Sequence, residues 1–412
     1  MATKKKEVPA TKTRNVAIEL WRFLIAVAII GFHTGWIIAR SCDGSLGYYM
    51  ETTNWFFGSS EVLLVFTLTA GYFMVSHFKR RMKDKDYATR SAGSRAWEYT
   101  WTRIKSLMPV LILGYILGVL ISTKFFYPDY NFEQICSMII NSAWEFLGFH
   151  SVGLRSLGNE FFNLNGTLWF ISAIIIVGYF LYWALCKNED VTSGFVAPFL
   201  FIFLSGWWSF TDTRAAQTAW STFGLQTTST NGMGGSATDA TAVIGFNNGL
   251  LFVMLGMLGG VLLYYLIQKI KEHKFSTGGK TALTILNIAA SVLLLWYTVY
   301  PATWFNLERW TVSLLCIIVI GLSLLNVDGL TKALNNKVTH SLFEYLGSIS
   351  LYIYMLHYPV AIMVLRLLGQ NTAETTYSFW LIFIPTVIIT IVLSGVIKAI
   401  MDSTILKKKE AK

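Results

Sequence analysis

The sequence predicts an all-α fold, a polytopic membrane helical bundle of about ten transmembrane helices with both termini cytoplasmic. Three observations carry that reading. Of 412 residues, 54% are hydrophobic and 14% charged, with a mean hydropathy of +0.51, a balance that excludes an ordinary soluble domain and a disordered chain alike. The apolar residues gather into stretches long enough, at about 1.5 Å per residue, to cross a hydrocarbon core of about 30 Å. Finally, 27 of the 33 Lys and Arg fall on alternate connections, which is the positive-inside pattern repeated loop by loop.

In chain order the stretches are 16–39, 54–76, 104–122, 166–186, 194–210, 244–268, 281–300, 308–326, 346–367 and 377–401. The first, VAIELWRFLIAVAIIGFHTGWIIA, has no small-residue cleavage site and is followed at once by another apolar stretch, so it reads as a membrane helix and not a secretory signal. Residues 1–14 are too polar to fold alone and read as a disordered cytoplasmic tail. The connection 79–103, KRRMKDKDYATRSAGSRAWEYTWTR, reads as a solvated, orienting loop, with a basic surface for a phosphorylated cofactor as its sharper alternative. The outer connection 123–165 has helix-like apolar spacing over 135–149 and predicts an interfacial helix. The outer stretch 211–243, rich in Thr, Ser, Ala and Gly, reads as a mobile loop. Residues 404–412 form a basic cytoplasmic tail, which leaves 15–403 as one transmembrane domain. No convincing internal repeat is present.

The net charge of +10 does not point to nucleic acid, because its distribution follows topology, and the Lys clusters near each end suit membrane lipid. Cys42 and Cys136 both fall on the outer side, where a disulfide is chemically allowed, while Cys186 and Cys316 read as small hydrophobes inside helices. No ligand spacing argues for a metal.

The candidate chemistry lies in the membrane. Arg22 and His33 share the first helix; eleven residues at about 100° each return them to within roughly 20° on one face, with His33 about 16 Å deeper. Glu61 and His357 are expected at a similar depth, so His33, Glu61 and His357 form a predicted polar cluster, either functional or a hydrogen-bonded lock between helices. Burial disfavours the charged imidazole and leaves an acceptor nitrogen able to take a proton from an attacking hydroxyl. Arg22 offers a planar cation for phosphate at the cytoplasmic mouth; Arg103 and Lys105 stand at the same level, where snorkelling is their preferred reading and added charge for the donor the alternative. His77, His150, His273 and His340 fall at helix ends or in loops, where ordinary hydrogen bonding accounts for them.

These residues, with the segments WTRIKSLMP (101–109), GTLWFISAI (166–174) and LGSISLYIYMLHYPV (346–360), resemble the acyltransferase 3 family of bacterial integral-membrane acyltransferases, whose first helix carries Arg, ten intervening residues and His. At 59–73 the chain reads SSEVLLVFTLTAGYF, with Ala70 where the family has Ser and Glu61 about a turn early. The resemblance implies acetyl-CoA or another acyl-CoA as co-substrate, no tightly bound cofactor, a cell-envelope glycan hydroxyl as acceptor, and the bacterial inner membrane as location. It implies His33 as general base or acyl carrier; a catalytic role for Glu61 rests instead on its expected depth and burial beside His33. Arg22, Arg103 and Lys105 would position the donor, and Trp169, Tyr352 and His357 would line the cavity. The chain must then finish the transfer itself or pass the acyl group to a separate protein. A proton-coupled transporter or glycan flippase, and a non-catalytic accessory subunit, are the competing classes.

Overall fold

The computed structural model describes residues 15–41, 55–56, 59–125, 127–147, 164–165, 167–210, 248–300, 309–368 and 376–410. Every regular element among them is helical. The chain runs through α1 (Val16–Ser41), α2 (Ser59–Val62), α3 (Leu64–Arg81), α4 (Lys85–Thr89), α5 (Ala92–Phe125), α6 (Phe132–Leu147) and α7 (Leu168–Lys187). Next, α8 (Glu189–Val191) passes through a π-helical turn (Thr192–Val196) into α9 (Ala197–Phe210). Then follow α10 (Asn248–Lys271), α11 (Thr277–Val299), α12 (Arg309–Leu325), α13 (Gly329–Leu334), α14 (Lys337–Leu367) and α15 (Thr376–Glu410).

Among the described residues, eight helices are long and apolar enough to cross a membrane, and the fold is a polytopic membrane helical bundle. The two other expected crossings correspond to α12, which is apolar but shorter, and to the α2–α3 pair, interrupted at Leu63 and closing in Lys79, Arg80 and Arg81. The short stretch at 194–210 gains its length upstream. Pro198 has no N–H to continue the α spacing, and the turn before it widens so that the Ala197 N–H donates to the Thr192 carbonyl. The span then covers Glu189–Trp208.

Burial sorts the helices into an inside and a rim. In α1, α10 and α14 the apolar windows are 72%, 67% and 78% buried, against 22%, 28% and 28% in Glu189–Trp208, α11 and α15. Rim helices turn residues such as Ile202, Ile285 and Val392 outward, as lipid requires. Inside, α1 runs along α14, with α15 against both, and α3 runs along α10. The second pair meets at glycine: a Cβ on Gly260 would come within 2.7 Å of the Tyr72 backbone nitrogen, so the absent side chain is what lets the two backbones approach.

The basic connection after α3 differs from a solvated loop. Asp84 caps α4 by accepting from the Asp86 and Tyr87 N–H groups, and Arg81 and Arg90 both pair with Glu98, at 2.7 and 2.8 Å. Arg95 is buried and donates to the Cys186 carbonyl at 2.9 Å, while the Tyr87 hydroxyl meets that of Tyr182 at 2.9 Å. The segment is docked on α7, and α5 begins within it at Ala92. The expected outer helix is α6, whose Met138 and Ser142 are buried while Phe132 and Ile140 are exposed. At the far end α15 continues to Glu410, past the expected limit at 403. Residues 1–14, the stretch 211–243 and Cys42 lie outside the described residues.

Candidate active site

His33 on α1 and His357 on α14 are both buried, and His33 Nδ1 lies 2.7 Å from His357 Nε2. The close run of α1 along α14 makes the meeting possible. It depends on Gly347, where an added Cβ would come within 2.7 Å of the Glu19 Cα. The far nitrogen of His357, Nδ1, lies 3.1 Å from the Ile353 carbonyl one turn back. Tyr358 and Phe32 pack edge-on against the His33 ring, at 5.8 and 5.3 Å between centroids.

A second contact fixes α14 beside α7. Pro359 has no N–H, so the Met355 carbonyl loses its helical donor. The Asn165 side-chain amide donates to that carbonyl at 2.8 Å, and Asn165 Oδ1 accepts from the Thr167 hydroxyl at 2.7 Å. The Tyr354 hydroxyl returns a bond to the Thr167 carbonyl at 3.0 Å. The start of α7 is thereby locked to α14 within a turn of His357.

A cavity of about 250 Å³ opens at the end of the bundle that carries the basic connections. Each motif contributes to its wall. Arg22 comes from α1; Phe66, Thr69, Ala70 and Phe73 from α3; Arg103, Ser106 and Leu107 from α5; Phe170, Ile171 and Ile174 from α7; Leu351 and Tyr354 from α14. The rings of Phe66, Phe170 and Tyr354 stand together, with centroids 5.4 to 6.4 Å apart, and the Tyr354 ring lies 5.8 Å from that of His357. Among the described residues neither histidine is on the cavity wall; Tyr354 is the link between cavity and pair.

Motifs scattered over more than three hundred residues thus converge on one cavity and one histidine pair, and a family model described as an acyltransferase domain matches residues 15–399. The chain belongs to the acyltransferase 3 family. The family makes the protein an acyltransferase of multi-pass membrane architecture. No curated protein and no solved structure matches the chain.

Within this acyltransferase the expected site residues separate into two groups. Arg22 and Arg103 line the cavity; Arg22 pairs with Glu19 at 3.1 Å, and the Arg103 guanidinium stands 5.2 Å over the Tyr99 ring. Lys105 instead projects over Trp101 at 5.3 Å, and both are exposed, so its side chain snorkels at the bundle surface. Of the expected three-residue cluster the structure brings His33 and His357 together, while Glu61 faces the buried Cys316 of α12. Trp169 and Tyr352 are half-buried and do not line the cavity. Tyr352 faces Lys398 and Asp402 of α15. Their neighbours Phe170, Leu351 and Tyr354 line it instead.

Sequence reasoning missed Tyr99 and Thr100, which line the cavity just ahead of the 101–109 segment. Thr100 is buried, and its hydroxyl has no hydrogen-bond partner among the described residues. Their signal was positional: Thr100 precedes Arg103 by three residues and so shares its helix face.

Proposed function

We propose that this acyltransferase moves an acyl group, acetyl in the simplest case, from cytoplasmic acyl-CoA to a hydroxyl of a cell-envelope glycan at the bacterial inner membrane. The observation that carries the reading is the cavity with two guanidinium groups, Arg22 and Arg103, and a mainly apolar wall, with the hydroxyls of Thr69, Thr100 and Ser106 set in it, that ends at Tyr354 beside the histidine pair. Planar guanidinium groups suit the phosphates of CoA. The apolar wall suits the pantetheine arm, and the Thr100 hydroxyl is available to one of its amides. The acyl end reaches His33 past the rings of Phe66, Phe170 and Tyr354, and the acceptor enters from the opposite side.

In this reading His33 removes the acceptor's hydroxyl proton as the oxygen attacks the thioester carbonyl. The new C–O bond replaces the C–S bond, and the proton passes from the imidazolium to the departing thiolate. The balance needs no further reactant. A separate protein that receives the acyl group outside the membrane fits the same donor half-reaction.

The test is transfer in membranes. Vesicles holding the protein and supplied with radiolabelled acetyl-CoA are expected to place label in the glycan fraction. Label is expected to disappear in His33→Ala at equal expression and to persist in Lys105→Ala, whose side chain lies away from the cavity. Label in the glycan that is indifferent to His33→Ala refutes the assignment.

A further inference from the structure

The histidine pair carries a directional argument. His357 Nδ1 faces the Ile353 carbonyl at 3.1 Å. A carbonyl only accepts, so Nδ1 of His357 holds a proton and donates it. The contact of His357 Nε2 with His33 Nδ1 at 2.7 Å then has two possible directions. If His357 donated, its ring would carry protons on both nitrogens and be a cation, fully buried and, among the described residues, with no carboxylate bonded to it. An unpaired buried charge is costly. With His33 donating from Nδ1, both rings are neutral and every proton in the chain has an acceptor.

From this chain of bonds we infer that His357 is a positioning residue: it holds the proton of His33 on Nδ1 and thereby leaves the His33 Nε2 lone pair as the base. The direction of the relay is set at its far end by the Ile353 backbone, which cannot change protonation. The Ile29 carbonyl, one turn back on α1, also bonds to the His33 ring, and with the proton held on Nδ1 the Nε2 lone pair is the one that faces a substrate hydroxyl. Without the acceptor on His357, only the Ile29 carbonyl is left to bond the His33 ring, and the preference against the other tautomer, whose proton occupies the nitrogen that must act, is weakened. The assignment rests on the proposed acyl transfer for its consequence, and on hydrogen-bond geometry alone for its structural content.

Two variants separate the role from bulk packing. His357→Gln keeps a side-chain oxygen able to accept near the position of Nε2; His357→Leu fills space and accepts nothing. With radiolabelled acetyl-CoA as donor, His357→Leu is expected to lower kcat on the order of 100-fold, within the range that general-base catalysis supplies. Its donor KM should stay within about threefold, and His357→Gln should recover at least about tenfold of the loss. Nitrogen-15 spectra of the ring, assigned by their absence in His33→Ala, read the tautomer directly in protein reconstituted in nanodiscs. The wild type is expected to hold the proton on Nδ1 and the Leu variant to lose that preference.

Either of two results overturns the role: a folded His357→Leu protein with kcat within threefold of wild type, or an unchanged His33 nitrogen spectrum in that variant. If the wild type transfers no acyl group at all, the functional reading fails separately. The nitrogen spectra then still uphold or refute the tautomer assignment.

Discussion

Arg22 and Glu19, one turn apart on α1, form an ion pair of 3.1 Å at the edge of the cavity. Glu19 is buried beneath Gly347, so its carboxylate is a fixed post against which the guanidinium is aimed. If Arg22 positions the donor, Glu19→Gln should raise the donor KM roughly fivefold to tenfold, about 1 to 1.4 kcal/mol, while kcat changes little. Steady-state kinetics over a range of acyl-CoA concentrations check this. A fall in kcat with KM unchanged would place Glu19 in the chemistry rather than in donor binding.

The crossing of α1 and α14 depends on one absent methyl group. A Cβ on Gly347 would overlap the Glu19 backbone, and helices cannot resolve such a clash by rotating a side chain. Gly347→Ala is expected to cost about 1–3 kcal/mol as the helices are forced apart. Gly93→Ala is the control: nothing lies within 4 Å of a Cβ there, and removing a helical glycine should stabilise by roughly 0.5–1 kcal/mol. Thermal unfolding of the two variants in one detergent should move in opposite directions.

The architecture was legible because an apolar stretch near 20 residues long has few fates other than crossing a bilayer. Depth was legible for the same reason, since residue count along a helix converts directly to distance, and His33 and His357 do meet. Facing direction was not. Successive residues on a helix point about 100° apart, so a motif can mark the right depth while the neighbour of the named residue does the lining: Phe170 beside Trp169, and Leu351 and Tyr354 around Tyr352. Glu61 is the same lesson on a larger scale, because depth does not say which neighbouring helix a side chain meets, and it meets α12 at Cys316. The ordered basic connection escaped notice because its order comes from partners far away in sequence, such as the Cys186 carbonyl that accepts from Arg95.

Asn165 and Pro359 are coupled through a carbonyl that neither owns. Asn165→Ala strands the buried Met355 carbonyl, at a cost of roughly 1–3 kcal/mol. Pro359→Ala restores an N–H able to reach the same oxygen, so Asn165→Ala should cost at least about 1 kcal/mol less in that background. Denaturation of the four proteins of this double-mutant cycle measures the difference. Strict additivity would mean that the Asn165 bond at 2.8 Å is not compensating for the proline.

His77, at the basic end of α3, bonds to the Tyr182 hydroxyl through Nδ1 at 3.2 Å. Burial, then the charges of Arg80, Arg103 and Arg81, lowers its pKa to about 4. The unfolded ring titrates near 6.5, so between those values the unfolded state binds the proton and the folded state does not. The contribution to stability is full above pH 6.5, declines as pH falls toward 4, and is lost below it. His77→Gln should flatten the dependence of the unfolding temperature on pH within that window; equal slopes for wild type and variant would show that His77 takes no part in it.

In the proposed mechanism His33 performs the chemistry on a donor bound at Arg22. The decisive measurement is release of free CoA thiol from acetyl-CoA by the purified protein, with wild type, His33→Ala and Arg22→Ala compared. Turnover by the wild type is expected, with a loss of at least about 100-fold in kcat for His33→Ala at retained donor binding, and weakened donor binding for Arg22→Ala. Thiol release by folded His33→Ala at the wild-type rate would rule this mechanism out.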